Sequence, residues 1–514
     1  MEKIKFILLL IFLTPIFNSF SAIQNGKTLK FNYNLADIKI DKNKSNNGFV
    51  TYNHKDLVLR KIEGRPMLPM TSIILKGLGD IKQIKTNLGG EKISLKGNLD
   101  FYKGTKCRCK DIEDVEFDYK VYGELEQEFN IEYFGDLRGE KIYKLNIPMA
   151  KQNGTIINFF EEVSIELPNN LEVIADFSNL LDNIQEEKTL IISTNEFKNL
   201  LNTYIANQSN RIFYIEEIDN STSTSKIKKI INDYYQSKKI TNVMLVGNQH
   251  IIPTFYVKTK FDSQTPSDLN YGLLGGNQDS LPDVFMSRLS VANNSELTTI
   301  LEKLNKQLNG VNIKKIMGIA SNEGSNPTDE EYMKQMMNPI LNGKKAQGVF
   351  LRQNDTSTTK QRFNDLLEEG VNWINYIGHG SGFSWPSFNH EYFASDLDYV
   401  GEQNIYPILV DVACQNGNFS GDARLGESFM YGGKDHQSIG SSIYYGGSVD
   451  ISWHPPAIMA LGISEYVEKN SNFPIYKAFI YGHLYLMKNH SNKEDIVDNL
   501  EWYHLQGDPG VIIR

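Results

Sequence analysis

The chain has 514 residues, of which 40% are hydrophobic and 11% aromatic, with 53 Lys and Arg against 62 Asp and Glu, a formal charge of −9, and three cysteines. That length exceeds the needs of one small domain, and the apolar content excludes wholesale disorder. The acidic balance argues against a nucleic-acid partner, and so few cysteines cannot build a disulfide framework.

In chain order, Lys3 and Lys5 precede an apolar run at 6–13, and small residues follow at Ser19, Ser21 and Ala22. This is the layout of a signal peptide cleaved after Ser21, residues 1–21. The run falls short of the ~20 residues a spanning helix needs, and no later stretch is long and apolar enough. Export to the periplasm or beyond the cell is expected, with no membrane span. Residues 22–187 read as β-rich, with short runs at 71–75, 141–147, 155–160 and 163–167 broken by Gly, Asn and Pro. No long helix is expected before about residue 175, and the acidic stretch 171–187 reads as a connector. From 188 onward, apolar runs at 188–193, 242–247, 314–320, 371–378 and 406–413 are of the kind buried on both sheet faces. They alternate with helix candidates at 295–308, 329–341, 359–369, 455–468 and 474–488. Alternation of this kind predicts an α/β domain with a mostly parallel sheet over 188–514, in subdomains of about 188–310 and 311–514.

Cys107 and Cys109 lie in the charged run Lys106-Cys107-Arg108-Cys109-Lys110. They could pair, although a one-residue spacer makes a tight loop. They could also offer two soft metal ligands, but no Cys or His nearby completes a set. A disulfide, or two exposed thiols, without function is the favoured reading. Cys414 then stands alone, either inert in the core or reactive.

Functional groups of open α/β sheets gather beyond the carboxyl ends of strands. One apolar run ends in Gly378-His379-Gly380-Ser381 and another in Cys414-Gln415-Asn416-Gly417. Parallel neighbours ~4.8 Å apart would bring His379 and Cys414 together. An imidazole there converts a thiol to a nucleophilic thiolate. The N–H groups of Gly380 and Cys414 could form an oxyanion hole. By spacing alone a Cys–His hydrolase is one reading among others, because a lone buried Cys is ordinarily core and a His between glycines ordinarily a turn. The run 272–276 lacks the Lys and Ser/Thr of a phosphate loop. His250, His390 and His454 show no evident partner and read as surface or core residues.

The segments Asn375-Tyr-Ile-Gly-His-Gly-Ser381 and Asp411-Val-Ala-Cys-Gln-Asn-Gly-Asn-Phe419 resemble the His and Cys motifs of the gingipain family of cysteine peptidases, in the caspase-like group. Val243 to Gly247 with Ile252-Pro253, then Ser267-Asp268, Tyr271-Gly272 and Pro282 to Arg288, are similar to further family segments, with Asn248 where the family has Asp. Gly507-Asp508-Pro509 resembles the end of the catalytic domain, and Gly64 to Pro69 a pro-region motif. The resemblance implies a caspase-like catalytic domain at 188–514 behind a β-rich pro-domain at 22–187 that inhibits it. It implies Cys414 as nucleophile, His379 as acid and base, and Glu323 as the group orienting the imidazole. For substrate binding it implies Trp453 over the specificity pocket and a carboxylate at Asp329, which could pair bidentately with arginine. Against that placement, the loop from Glu323 to Asp329 is shorter than the family's, and Thr328 with its acidic successors equally reads as a helix N-cap and first turn.

Protein or peptide substrates, a preference for a basic P1 residue and synthesis as a proenzyme follow from the same resemblance. No cofactor and no metal are required, and whether calcium supports the fold is left open. Residues 152–187 contain no Lys or Arg, and the first basic residue at the junction is Lys188. An arginine-specific site therefore finds no target there, which leaves cleavage by another protease, cleavage at Lys188, or none. The chain stops at Arg514, so the further C-terminal domains of many relatives are not expected. The rival readings are a catalytically silent binding or scaffold protein and a thiol hydrolase of non-peptide acyl substrates.

Overall fold

The apolar runs after residue 188 assemble into one sheet. In this computed structural model, residues 28–514 are described except 43–48, 110–128, 154–155, 183, 185, 209, 325, 423 and 434. The expected signal peptide lies outside the described residues. The large sheet has ten strands. From one edge they are Ile212–Glu217, Lys188–Ser193, Asn242–Val246, Phe285–Leu289 and Tyr503–Gln506, then Ile443–Gly447, Ile408–Val412, Trp373–Ile377, Lys315–Ala320 and Gln347–Arg352. All neighbours are parallel except Tyr503–Gln506 against Ile443–Gly447. That single antiparallel seam joins two parallel halves running in opposite directions. Helices cover the faces, which is why the central strands are buried on both sides.

Five strands of the large sheet went unread in the sequence, among them the partly exposed edge strand Gln347–Arg352. Ile212–Glu217 lies at the sheet edge and is only half-buried. Phe285–Leu289, Ile443–Gly447 and Tyr503–Gln506 mix polar, aromatic and glycine residues, so their apolar signal is diluted. The helices Asn294–Asn305, Asp329–Lys344, Lys360–Glu369, Pro455–Lys469 and Ile475–Asn489 fall on the expected segments. Several start on a side-chain cap: Asn293, Thr328 and Thr359 each accept a hydrogen bond from the first turn.

Residues before 174 form smaller sheets, among them a four-stranded and a five-stranded one, both antiparallel. The runs expected at 155–160 and 163–167 are one strand, Ile156–Glu166, whose register shifts between Phe160 and Glu162. The supposed connector is partly regular. Leu171–Val173 pairs with Pro69–Gly77, and Phe177–Asp182 is helical. At Lys188 the backbone N–H donates to Thr241 Oγ1 and the carbonyl accepts from the Thr241 N–H. A protease could not take this bond as extended substrate without unfolding the strand.

The first sheets dock on the large one through shared apolar packing and through backbone bonds. Ile74, Phe134, Leu137 and Ile142 belong to the same hydrophobic core as the ten-stranded sheet. Arg138 N–H donates to Asp283, Lys493 Nζ to the Tyr133 carbonyl, and Ser280 N–H to the Phe134 carbonyl.

Candidate active site

The Trp373–Ile377 and Ile408–Val412 strands are parallel neighbours with Ile377 opposite Val412. Two residues further, the same register sets His379 against Cys414. The backbones meet tightly there. A Cβ added to Gly380 would stand 2.2 Å from the Cys414 carbonyl oxygen. After Cys414 the chain reverses at Gln415, whose φ is +61°. A buried network holds the two loops together. Asp411 accepts from Trp385 Nε1 at 3.0 Å, from Asn416 Nδ2 at 3.2 Å and from the Tyr444 hydroxyl, while Asn416 Oδ1 accepts from the Gly382 N–H. Burial pushes the Asp411 carboxyl up to about 6 against those hydrogen bonds.

The neighbouring Lys315–Ala320 strand supplies the rest. Beyond it, Ser321 Oγ donates to Asp329 Oδ2 at 2.8 Å and accepts the Glu323 N–H at 3.2 Å. Thr328 caps the Asp329–Lys344 helix through a capping box with Glu331. Asp329 therefore occupies the first helical position, fully buried. Glu323 meets His379 Nε2 at 2.8 Å. The edge of the Trp453 ring abuts Gly324, whose φ is +84°.

Into this pocket comes a residue the sequence reading passed over. Arg108 is fully buried. Its guanidinium donates to Asp329 Oδ2 at 2.8 Å and Oδ1 at 3.0 Å, and to the Trp453 carbonyl at 3.0 and 2.8 Å. It also stacks 4.5 Å from the centre of a Trp453 ring. The backbone lies antiparallel to 451–453: the Arg108 N–H donates to the Ile451 carbonyl, and the Trp453 N–H to the Lys106 carbonyl. The Arg108 carbonyl oxygen reaches His379 Nδ1. Cys107 and Cys109 are joined as a disulfide around it. A pair that read as functionally silent thus sits at the mouth of the site. The only early signal was the arginine between two cysteines in a charged run.

The occupied site is electrostatically closed. The Glu323 carboxylate and the Arg108 carbonyl both accept, so each imidazole nitrogen must carry a proton. The Glu323 hydrogen bond accordingly raises His379 above the usual imidazole range, and the His379 bond lowers Glu323. Cys414 is fully buried and its Sγ accepts the Ile451 N–H at 3.4 Å. Burial pushes its thiol up to about 12, so in the occupied site it rests protonated and needs a base before it can attack.

The profile of peptidase family C25 matches residues 183–514. The chain belongs to peptidase family C25. Gingipain R2 of Porphyromonas gingivalis is 26% identical over 315 residues, which cover 58% of this chain and 41% of that relative. Gingipain R1 of Porphyromonas gingivalis is 26% identical over the same length, 31% of its chain. The chain thus matches well under half the length of these curated relatives. Among solved structures, the crystal structure of the Arg-specific cysteine proteinase gingipain R superposes with a TM-score of 0.57 at 21% identity, over 64% of this chain and 78% of that one. The complex of Porphyromonas gingivalis RgpB pro- and mature domains gives 0.55 at 20% identity, over 64% and 80%. At these identities the likeness shows the fold.

The structure brings together every residue singled out for the site: Cys414, His379, Glu323, Gly380, Asp329 and Trp453. Of the histidines set aside, His250 and His390 are exposed. His454 has a partner after all, the Tyr332 hydroxyl at 3.1 Å from Nδ1, because the Pro455–Lys469 helix starts beside the pocket. Asn248 keeps the turn after its strand, accepting the His250 N–H at 3.0 Å. The one metal-compatible group among the described residues joins Cys107 and Cys109 to Asp450. Its two sulfurs are bonded to each other. Among the described residues no helix is long and apolar enough to cross a membrane.

Proposed function

We propose that this chain is an exported cysteine endopeptidase cutting after arginine and made as a proenzyme, with residues 22–187 as the pro-domain and 188–514 as the catalytic domain. One observation carries the reading. A segment of the chain's own N-terminal part enters the cleft, bridging to 452 at Cys107 and turning at Arg108 and Cys109, with an arginine in the pocket and its carbonyl at the imidazole. Cys414 is the nucleophile. His379 takes its proton and returns it to the leaving amine, and Glu323 positions the ring. The N–H groups of Gly380 and Cys414 receive the oxyanion.

Asp329 and Trp453 select the P1 side chain. A planar fork satisfies both carboxylate oxygens, the Trp453 carbonyl and the ring face at once, whereas a lysine ammonium offers one point charge. Protein or peptide substrates then follow from the β-strand pairing offered by 451–453. The Arg108→Ala variant tests the reading, because it empties the pocket. It should hydrolyse arginyl peptide amides well ahead of lysyl and uncharged ones, and Cys414→Ala in that background should abolish turnover. Turnover that survives Cys414→Ala would overturn the mechanism, and a preference for uncharged P1 would remove the role of Asp329.

A further inference from the structure

The bond that follows Arg108 is the one a cleft of this kind would cut, and the disulfide spans it. Cys107 precedes the arginine and Cys109 supplies the nitrogen of the Arg108–Cys109 peptide bond. That N–H points back into the ring, to Cys107 Sγ at 3.1 Å. Arg108 and Cys414 are fully buried, whereas Cys109 is exposed and Cys107 half-buried. A small thiol can therefore reach the bridge when nothing can reach the nucleophile. The Asp450 carboxylate lies within 4.8 Å of both sulfurs, and its charge disfavours a pair of thiolates there relative to the neutral disulfide.

We propose that the Cys107–Cys109 disulfide is a redox latch on the blocked site. It keeps the Arg108–Cys109 bond intact while oxidised and permits cleavage and release once a dithiol has reduced it. This rests on the proposed peptidase reading. In the oxidised chain, once its Nδ1 bond to the Arg108 carbonyl has opened and the ring is neutral, His379 takes the Cys414 thiol proton and Sγ attacks the Arg108 carbonyl carbon. The C–N bond breaks, and His379 passes that same proton to the Cys109 amine. The disulfide holds that amine beside the new thioester. Aminolysis then re-forms the peptide bond, expels the thiolate and returns the proton, faster than water can enter. A dithiol reduces the bridge to two thiols and is itself oxidised to a cyclic disulfide. The Cys109 amine can then leave, water hydrolyses the thioester, and the pocket opens.

The test follows the mass of the purified full chain and alkylation of Cys414 by iodoacetamide, with and without dithiothreitol, beside a Cys107→Ser/Cys109→Ser double variant. Without reductant the wild-type chain should stay uncut. The double variant should be cut after Arg108 at least about tenfold faster, the effect of removing a tethered nucleophile, and its Cys414 should become alkylated in step. Adding Cys414→Ala should abolish the cut. Equal cutting of the oxidised chain and the double variant overturns the latch, as does an oxidised chain cut and open to alkylation. The Arg108→Ala variant separates the two ideas. If it turns over no arginyl amide, the peptidase reading fails. If it does, while oxidised and variant chains behave alike, only the latch fails.

Discussion

Between Glu323 and the Arg108 carbonyl, His379 carries a proton on each nitrogen, and this makes the closed state depend on pH. Glu323 raises His379, and His379 lowers Glu323, with Arg108 close to both. A group raised in the closed state contributes fully below its ordinary value and loses that contribution as pH rises through the raised one. A lowered carboxylate contributes above its ordinary value and loses it as pH falls through the lowered one. What ties the segment to this pair is the Arg108 carbonyl, which accepts from Nδ1 while both ring nitrogens are protonated. The segment should therefore loosen as pH rises through the raised His379 value, on the alkaline side of the ordinary imidazole value of about 6.5. The rate of Cys414 alkylation in the intact chain, corrected for the reagent's own pH dependence, should rise there. Glu323→Gln should move that rise to lower pH, and an unmoved profile would show that the ion pair does not govern closure. At this scale Cys414 and His379 were legible because each stands at the end of an apolar run. Arg108 was not, since its partner Asp329 lies 221 residues away. A pairing of that kind leaves no mark on local sequence.

At the scale of elements, the site depends on two strand ends touching. The Trp373–Ile377 and Ile408–Val412 strands were readable from apolar runs, and their adjacency follows from the parallel sheet. The seam that reverses the sheet was not readable, because Tyr503–Gln506 follows its helix without a break and carries both His504 and Gln506 inward. Gly380 marks how close the loops come. In Gly380→Ala the added Cβ would meet the Cys414 carbonyl oxygen at 2.2 Å and the Ala413 Cβ at 2.9 Å, which are backbone and short side-chain atoms with little room to yield. The strand ends must separate, at a stability cost of roughly 1–3 kcal/mol. If the Gly380 and Cys414 N–H groups receive the oxyanion as proposed, displacing them should lower kcat by about a hundredfold or more. Measured in the Arg108→Ala background, an unchanged kcat would remove Gly380 from the oxyanion hole.

Across the whole molecule, the N-terminal sheets are more than a cover for the cleft. Ile74, Phe134, Leu137 and Ile142 share the core of the ten-stranded sheet, and Phe177 with Leu181 continue it from the short helix at Phe177–Asp182. Polar ties reinforce the same face: Arg138 reaches the Asp283 and Ile240 carbonyls, and Thr105 and Tyr102 both reach Asp495. Cutting the Arg108–Cys109 bond would leave these contacts in place, so opening the pocket and shedding the N-terminal part are separate events. A catalytic part produced alone, residues 188–514, would expose that apolar face. Each large side chain buried there contributes about 1.5–3 kcal/mol when fully removed from water, so losing several should lower the melting temperature by well over ~5 °C. Residues 22–187 supplied in trans should restore it, since a partner bound only to the folded form stabilises by mass action. Thermal melts of the three preparations decide the point. If 188–514 alone melts with the full chain, the first 187 residues serve inhibition and not stability.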